Sequence, residues 1–103
     1  MRQFDVFPNP SDRSRPTAPY VVVLQSHFLA AVPTTIVAPL LIDDDRSAYS
    51  DASVKLAFNG ERYGLSVPEL AGIEPARMKG CAGNLNEHED AIRRALDRVF
   101  TGF

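Results

Sequence analysis

Polar and apolar residues alternate through Gln3-Phe4-Asp5-Val6-Phe7, the two-residue period of a strand with one covered face. Tyr20-Val21-Val22-Val23-Leu24 is instead an unbroken, β-branched run, which predicts a strand covered on both faces. Between them fall four of the eight prolines (Pro8, Pro10, Pro16, Pro19) with Ser11, Asp12, Arg13, Ser14 and Arg15, a composition that excludes helix and predicts a connecting loop. A third strand is predicted over 34–42, where Pro39 has no N–H for a ladder and so implies an edge or a bulge. Asp43-Asp44-Asp45-Arg46-Ser47 then opens a polar stretch to Ser53, whose self-repelling carboxylates predict an exposed loop.

Two alternating runs, Val54 to Phe58 and Glu61 to Leu65, flank Asn59-Gly60, the pair that best accepts the left-handed geometry of a two-residue hairpin turn. From Val67 to Lys79, Pro68, Gly72 and Pro75 interrupt short apolar runs, and brief, irregular strands are expected. Only the last segment has helical spacing: Leu85, His88, Ile92, Leu96 and Val99 recur at steps of three or four, which predicts a helix over 87–100. Asn86 and Glu89 have the spacing of a capping box, Glu87, Glu89 and Asp90 favour the positive end of the dipole, and Arg93, Arg94 and Arg98 favour the other. Glu89 with Arg93, and Asp90 with Arg94, are helical pairs of about 0.3 kcal/mol each. The pattern is thus mainly β, an antiparallel sheet with one C-terminal helix.

A chain of 103 residues buries roughly two thirds of its surface on folding, so one domain over 1–103 needs neither disulfide nor metal. Its 11 basic and 13 acidic residues leave a net charge of −2 and no broad basic face, which excludes strong general nucleic-acid binding. No run approaches the roughly 20 apolar residues of a membrane span, and Arg2, Gln3 and Asp5 do not open a signal peptide. A lone Cys81 forms no internal disulfide, which fits a reducing, cytoplasmic setting.

Candidate chemistry is sparse. His27 and His88 lack partners at metal-ligand spacing, and three consecutive carboxylates lack the alternation of a calcium loop, so no metal or cofactor is expected. Ser26 and His27 are neighbours along a strand and point to opposite faces, which rules out a nucleophile and base pair. Gly80-Cys81-Ala82-Gly83 has the glycines of a phosphate cradle but no lysine, and reads as a flexible lead into the helix around an unactivated thiol. With no catalytic machinery, a binding protein is the expected class.

Three stretches point to a family. Gln3-Phe4-Asp5-Val6-Phe7 resembles the first strand of the CcdB toxins, the small bacterial proteins of toxin–antitoxin modules that poison DNA gyrase. Tyr20 to Ser26, with its Gln-Ser ending, then Phe28-Leu29 and Ile36-Val37-Ala38-Pro39-Leu40, resemble the second and third strands. Leu85 to Asp90, through Ile92 to Val99-Phe100-Thr101-Gly102-Phe103, is similar to the terminal helix and its aromatic-x-Gly-apolar ending.

The resemblance implies a twisted antiparallel sheet of the SH3-like barrel type shared by CcdB and MazF toxins, and a homodimer. It implies that Thr101, Gly102 and Phe103 meet the gyrase A subunit, and that Phe28 and Leu29 lie where a cognate antitoxin covers apolar surface. The family has a tryptophan where this chain has Thr101. Losing such an anchor costs about 2 kcal/mol per protomer, so two tips together lose about a thousandfold in affinity. Phe103, larger than the family's aliphatic end, either recovers part of that stacking or the target has shifted. Two other readings stand beside the gyrase poison. One is a MazF-like endoribonuclease using Arg13, Arg15, Arg46 and Ser47; the other is an inactive toxin-like dimer that binds antitoxin.

Overall fold

A computed structural model, which describes residues 1–26, 33–43 and 52–102, contains strands β1 (Asp5–Pro8), β2 (Tyr20–Val23), β3 (Thr35–Ile42), β4 (Ser53–Phe58), β5 (Glu61–Ser66), β6 (Ala71–Ile73) and β7 (Gly83–Asn84) and the helix α1 (Glu89–Thr101). The strands form one antiparallel sheet in the order β4-β5-β3-β2-β1-β7, with β6 added beside β3. The fold is α+β and mainly β, a curled sheet with a C-terminal helix.

Asn59 and Gly60 take φ of 50° and 81°, the conformation that joins β4 to β5 with the twist a sheet requires. The ladder runs from Phe58 opposite Glu61 to Ser53 opposite Ser66. β2 is covered on both faces, as its apolar run predicts. Val22 and Leu24 join Val6, Ala38, Leu40, Leu56 and Leu65 in a core closed by Ile92 and Ala95 of α1. On the reverse face Val21 and Val23 pack with Phe7 and Val37 under Met78 and Ile73. Each large side chain buried in this way contributes about 1.5–3 kcal/mol.

Several expectations are corrected. β3 is not an edge. It pairs with β6 through Thr35–Val37 and with β5 through Leu40–Ile42, and Pro39 falls where the partner changes, so its missing N–H leaves no gap in either ladder. β1 starts at Asp5 because Phe4, buried and at φ 71°, turns its N–H to the Val23 carbonyl (2.7 Å) and accepts the Leu85 N–H (2.9 Å). Gly83 is no flexible lead, since with Asn84 it pairs against Asp5 and Val6. A Cβ at Gly83 would lie 2.8 Å from the Phe58 ring, so this close approach requires glycine.

The helix is also entered differently. A 3-10 turn over Asn86–His88 precedes α1, and no side-chain cap bond forms at either start. The Asn84 Oδ1 instead accepts the Asn86 N–H at 2.7 Å, which leaves the Glu89 carboxylate to pair with Arg93 at 3.1 Å. In place of irregular strands throughout 67–79, two 3-10 turns (Val67–Glu69 and Pro75–Arg77) flank β6. Asp43 is not in exposed loop. Its N–H reaches the Arg62 carbonyl at 3.3 Å and extends the ladder, so its side chain is only 4% exposed and lies 3.9 Å from the Arg62 Nε. His27, Asp44, Asp45, Arg46 and Ser47 lie outside the described residues.

Candidate functional site

The apolar stripe of α1 is one residue wider than the core it covers. Ile92 and Ala95 are buried, Leu96 and Val99 pack partly against the core, and Phe100, one turn beyond Leu96, is 69% exposed. Helix geometry places Leu96 and Phe100 in line, and the row they form overhangs the ends of β2 and β3. There Leu24, Gln25, Ile36, Leu70, Leu96 and Phe100 line an open cavity of about 120 Å³.

Its floor is held by backbone bonds. The Ile36 carbonyl accepts the Leu24 N–H at 2.9 Å, and the Ile36 N–H donates to the Gln25 Oε1 at 3.2 Å. Gln3 donates from Nε2 to the Leu24 carbonyl at 3.0 Å, and with Arg2, Phe4 and Asn86 it lines a second, more polar hollow of about 370 Å³. The segment leading into β1 is thus tied to the groove through Leu24.

Beyond Phe100 the helix closes on itself. Thr101 Oγ1 donates to the Asp97 carbonyl at 2.6 Å, and Gly102, at φ 79°, caps the end with its N–H on the Arg98 carbonyl at 3.2 Å. The left-handed cap favours glycine because no Cβ opposes it. Thr101 and Gly102 are therefore exposed and next to the cavity, while Phe103, Phe28 and Leu29 lie outside the described residues. Gln25 lines the cavity, and Ser26 and Pro33 are the described residues on either side of 27–32. Sequence reasoning missed Phe100, Ile36 and Leu70 as surface groups. The available signal was Leu96 and Phe100, an apolar pair at i and i+4 continuing past the last residues a small core needs.

Other candidate chemistry lies elsewhere. Arg15 is engaged, with Nε on the Asn9 carbonyl at 2.9 Å and its guanidinium 3.0 Å from Asp12. The buried Asn9 amide pins that loop through Ser14 and Ala18. Cys81 is exposed, with Sγ on the Gly83 carbonyl. Tyr63, in edge-on contact with Tyr20 (5.9 Å between centroids), has its hydroxyl pKa raised by burial first, then by the Glu61 and Tyr20 charges and a bond to Glu61. Among the described residues no three His, Cys, Asp or Glu side chains gather as metal ligands, and no described helix is long and apolar enough to cross a membrane.

The capped helix end thus presents an exposed aromatic beside an apolar cavity. No curated protein matches the chain. The model of the CcdB protein family matches residues 3–102, and the chain therefore belongs to the CcdB family, toxins of toxin–antitoxin systems.

Proposed function

We propose that this protein is a non-enzymatic toxin that, as a homodimer in the cytoplasm, binds the A subunit of DNA gyrase with its helix end and traps the cleaved-DNA complex. A cognate antitoxin neutralises it by covering apolar surface, a contact that the resemblance assigns to Phe28 and Leu29. The observation that carries this reading is Phe100, exposed above an apolar cavity, in a chain of the CcdB family. Aromatic groups at the centre of an interface supply a large share of binding free energy. Phe100 is exposed one residue before Thr101, so aromatic surface is present although Thr101 cannot stack. A capped helix end loses little conformational freedom on docking.

Expression without antitoxin in a bacterium with a sensitive gyrase tests the reading. Growth arrest with gyrase-linked DNA breaks is the expected outcome. Deletion of residues 101–103 should abolish it while lowering the melting temperature by only a few degrees, because an exposed terminus contributes little to stability. Thr101→Trp should strengthen arrest. Normal growth with tight antitoxin binding would replace the toxin by an inactive antitoxin-binding dimer, and metal-independent cuts in RNA by the purified protein would replace it by a nuclease.

A further inference from the structure

We propose that the outer edge of β6 takes up an extended segment of a protein partner as an added strand, with an apolar side chain of that segment in the cavity beside Phe100 and basic residues on either side of it. The proposal rests on the reading above only in taking this end of the molecule as the one that meets a protein.

Among the described residues, no backbone hydrogen bond is made on that edge. The Ile36 N–H and carbonyl are both turned toward β2, on Gln25 and Leu24. Ile36 lies opposite Gly72, so theirs is a non-hydrogen-bonded pair of the antiparallel ladder, and the N–H and carbonyl of Gly72 point away from β3. Ala71 and Gly72 are exposed. An unpaired strand edge is a template for another chain.

The same register supplies the side-chain pocket. Gly72 shares the helix-side face with Ile36 and has no side chain to cover it, and Ile36 is 39% exposed. Leu70, the residue before β6, lines the cavity together with Ile36 and Phe100. Its 120 Å³ is well below the roughly 300–1,000 Å³ of small-molecule sites and suits one aliphatic side chain. Glu69 and Glu74 flank β6, are exposed, and form no ion pair among the described residues, so charge complementarity selects lysine or arginine on both sides of the inserted residue.

The test uses the full chain, labelled with ¹⁵N, and a synthetic capped peptide of sequence Lys-Thr-Val-Leu-Val-Thr-Lys. Saturable binding should shift the Ala71, Gly72 and Ile73 amides most and slow hydrogen exchange at Gly72. Gly72→Pro removes the outward N–H and fixes φ, which an edge strand tolerates, and should weaken binding at least about tenfold in a chain that remains folded. Gly72→Val is a second variant that keeps the N–H. Its Cβ would meet Thr34 at an ordinary 3.6 Å, and its methyls would screen Ile36, so it should weaken the peptide as well. Replacing the peptide's leucine by serine, or its lysines by glutamates, should do the same.

No binding to the wild-type chain, or equal binding to both variants, overturns the proposal. So does a change in oligomeric mass on Gly72→Pro with peptide binding intact, which would make the edge an interface between copies. Growth inhibition is read separately: a chain that poisons cells but ignores the peptide defeats this proposal alone, and one that binds the peptide but is inert defeats the toxin reading alone.

Discussion

The sheet has two apolar regions that end differently. On the reverse face Phe7, Val21, Val23 and Val37 are sealed by Met78 and Ile73, which the chain brings over them through the 3-10 turn Pro75–Arg77. On the helix side Leu24, Ile36, Leu70, Leu96 and Phe100 surround a cavity that nothing described fills. Both are built from the same strands, and the adjacent residues Val23 and Leu24 belong to one each. Among the described residues a small cluster is therefore closed while a patch beside the main core is not, and apolar surface of that kind is where a partner can dock.

The largest expected effect lies on the sealed side. Phe7→Ala removes a side chain that is 6% exposed from a cluster with little room to collapse, and should cost about 3–5 kcal/mol. Urea unfolding measures it. A loss below 1 kcal/mol would show that the reverse face is as loosely covered as the groove, and the contrast would fail.

Gly83→Ala comes next. Its Cβ would press on the Phe58 ring at 2.8 Å, and both β7 and the ring must give way, a strain of about 1–3 kcal/mol. The mutant should unfold at lower urea with an unchanged slope. If stability is unaltered, β7 is not held against the core as closely as the register implies.

These substitutions also mark where the sequence was legible. The hairpin, the doubly covered β2 and the helix stripe could be read directly, because turn chemistry and hydrophobic period act locally. What could not be read depends on partners distant in sequence. Pro39 looks like an edge residue until β5 and β6 are seen to divide β3 between them. The capping box at Asn86 and Glu89 loses to Asn84, which β1 brings into place. Asp43 looks like loop until β5 is laid beside it. At the helix end, Thr101 and Gly102 are target contacts by resemblance alone. Ile36 and Leu70 carried no local signal, because only the β3–β6 register sets them beside Phe100.

A smaller effect concerns pH. Burial, with the nearby Glu61 and Tyr20, raises the Tyr63 pKa above its ordinary 10.0, so the neutral phenol is favoured in the folded chain. That stabilisation is complete below pH 10.0, the unfolded value, and is lost as pH rises through the higher folded value. Tyr63→Phe should flatten the fall of melting temperature above pH 10 and leave the neutral range nearly unchanged. An equally steep alkaline fall in the variant would assign it to other groups.

The smallest effect on stability belongs to the open side, and it sharpens the contrast most. Phe100 is 69% exposed, so Phe100→Ser removes little buried area and should change unfolding free energy by less than about 0.5 kcal/mol. Serine also suits the last turn less badly than glycine or proline would, so the cap at Gly102 should persist. Partner binding should fall sharply, because the aromatic face is lost where the interface would be fully desolvated. The two measurements must separate for the comparison to hold. If Phe100→Ser destabilises as much as a core truncation, Phe100 belongs to the fold and the open groove is an incomplete core. If it changes neither stability nor binding, the partner contacts another part of the surface.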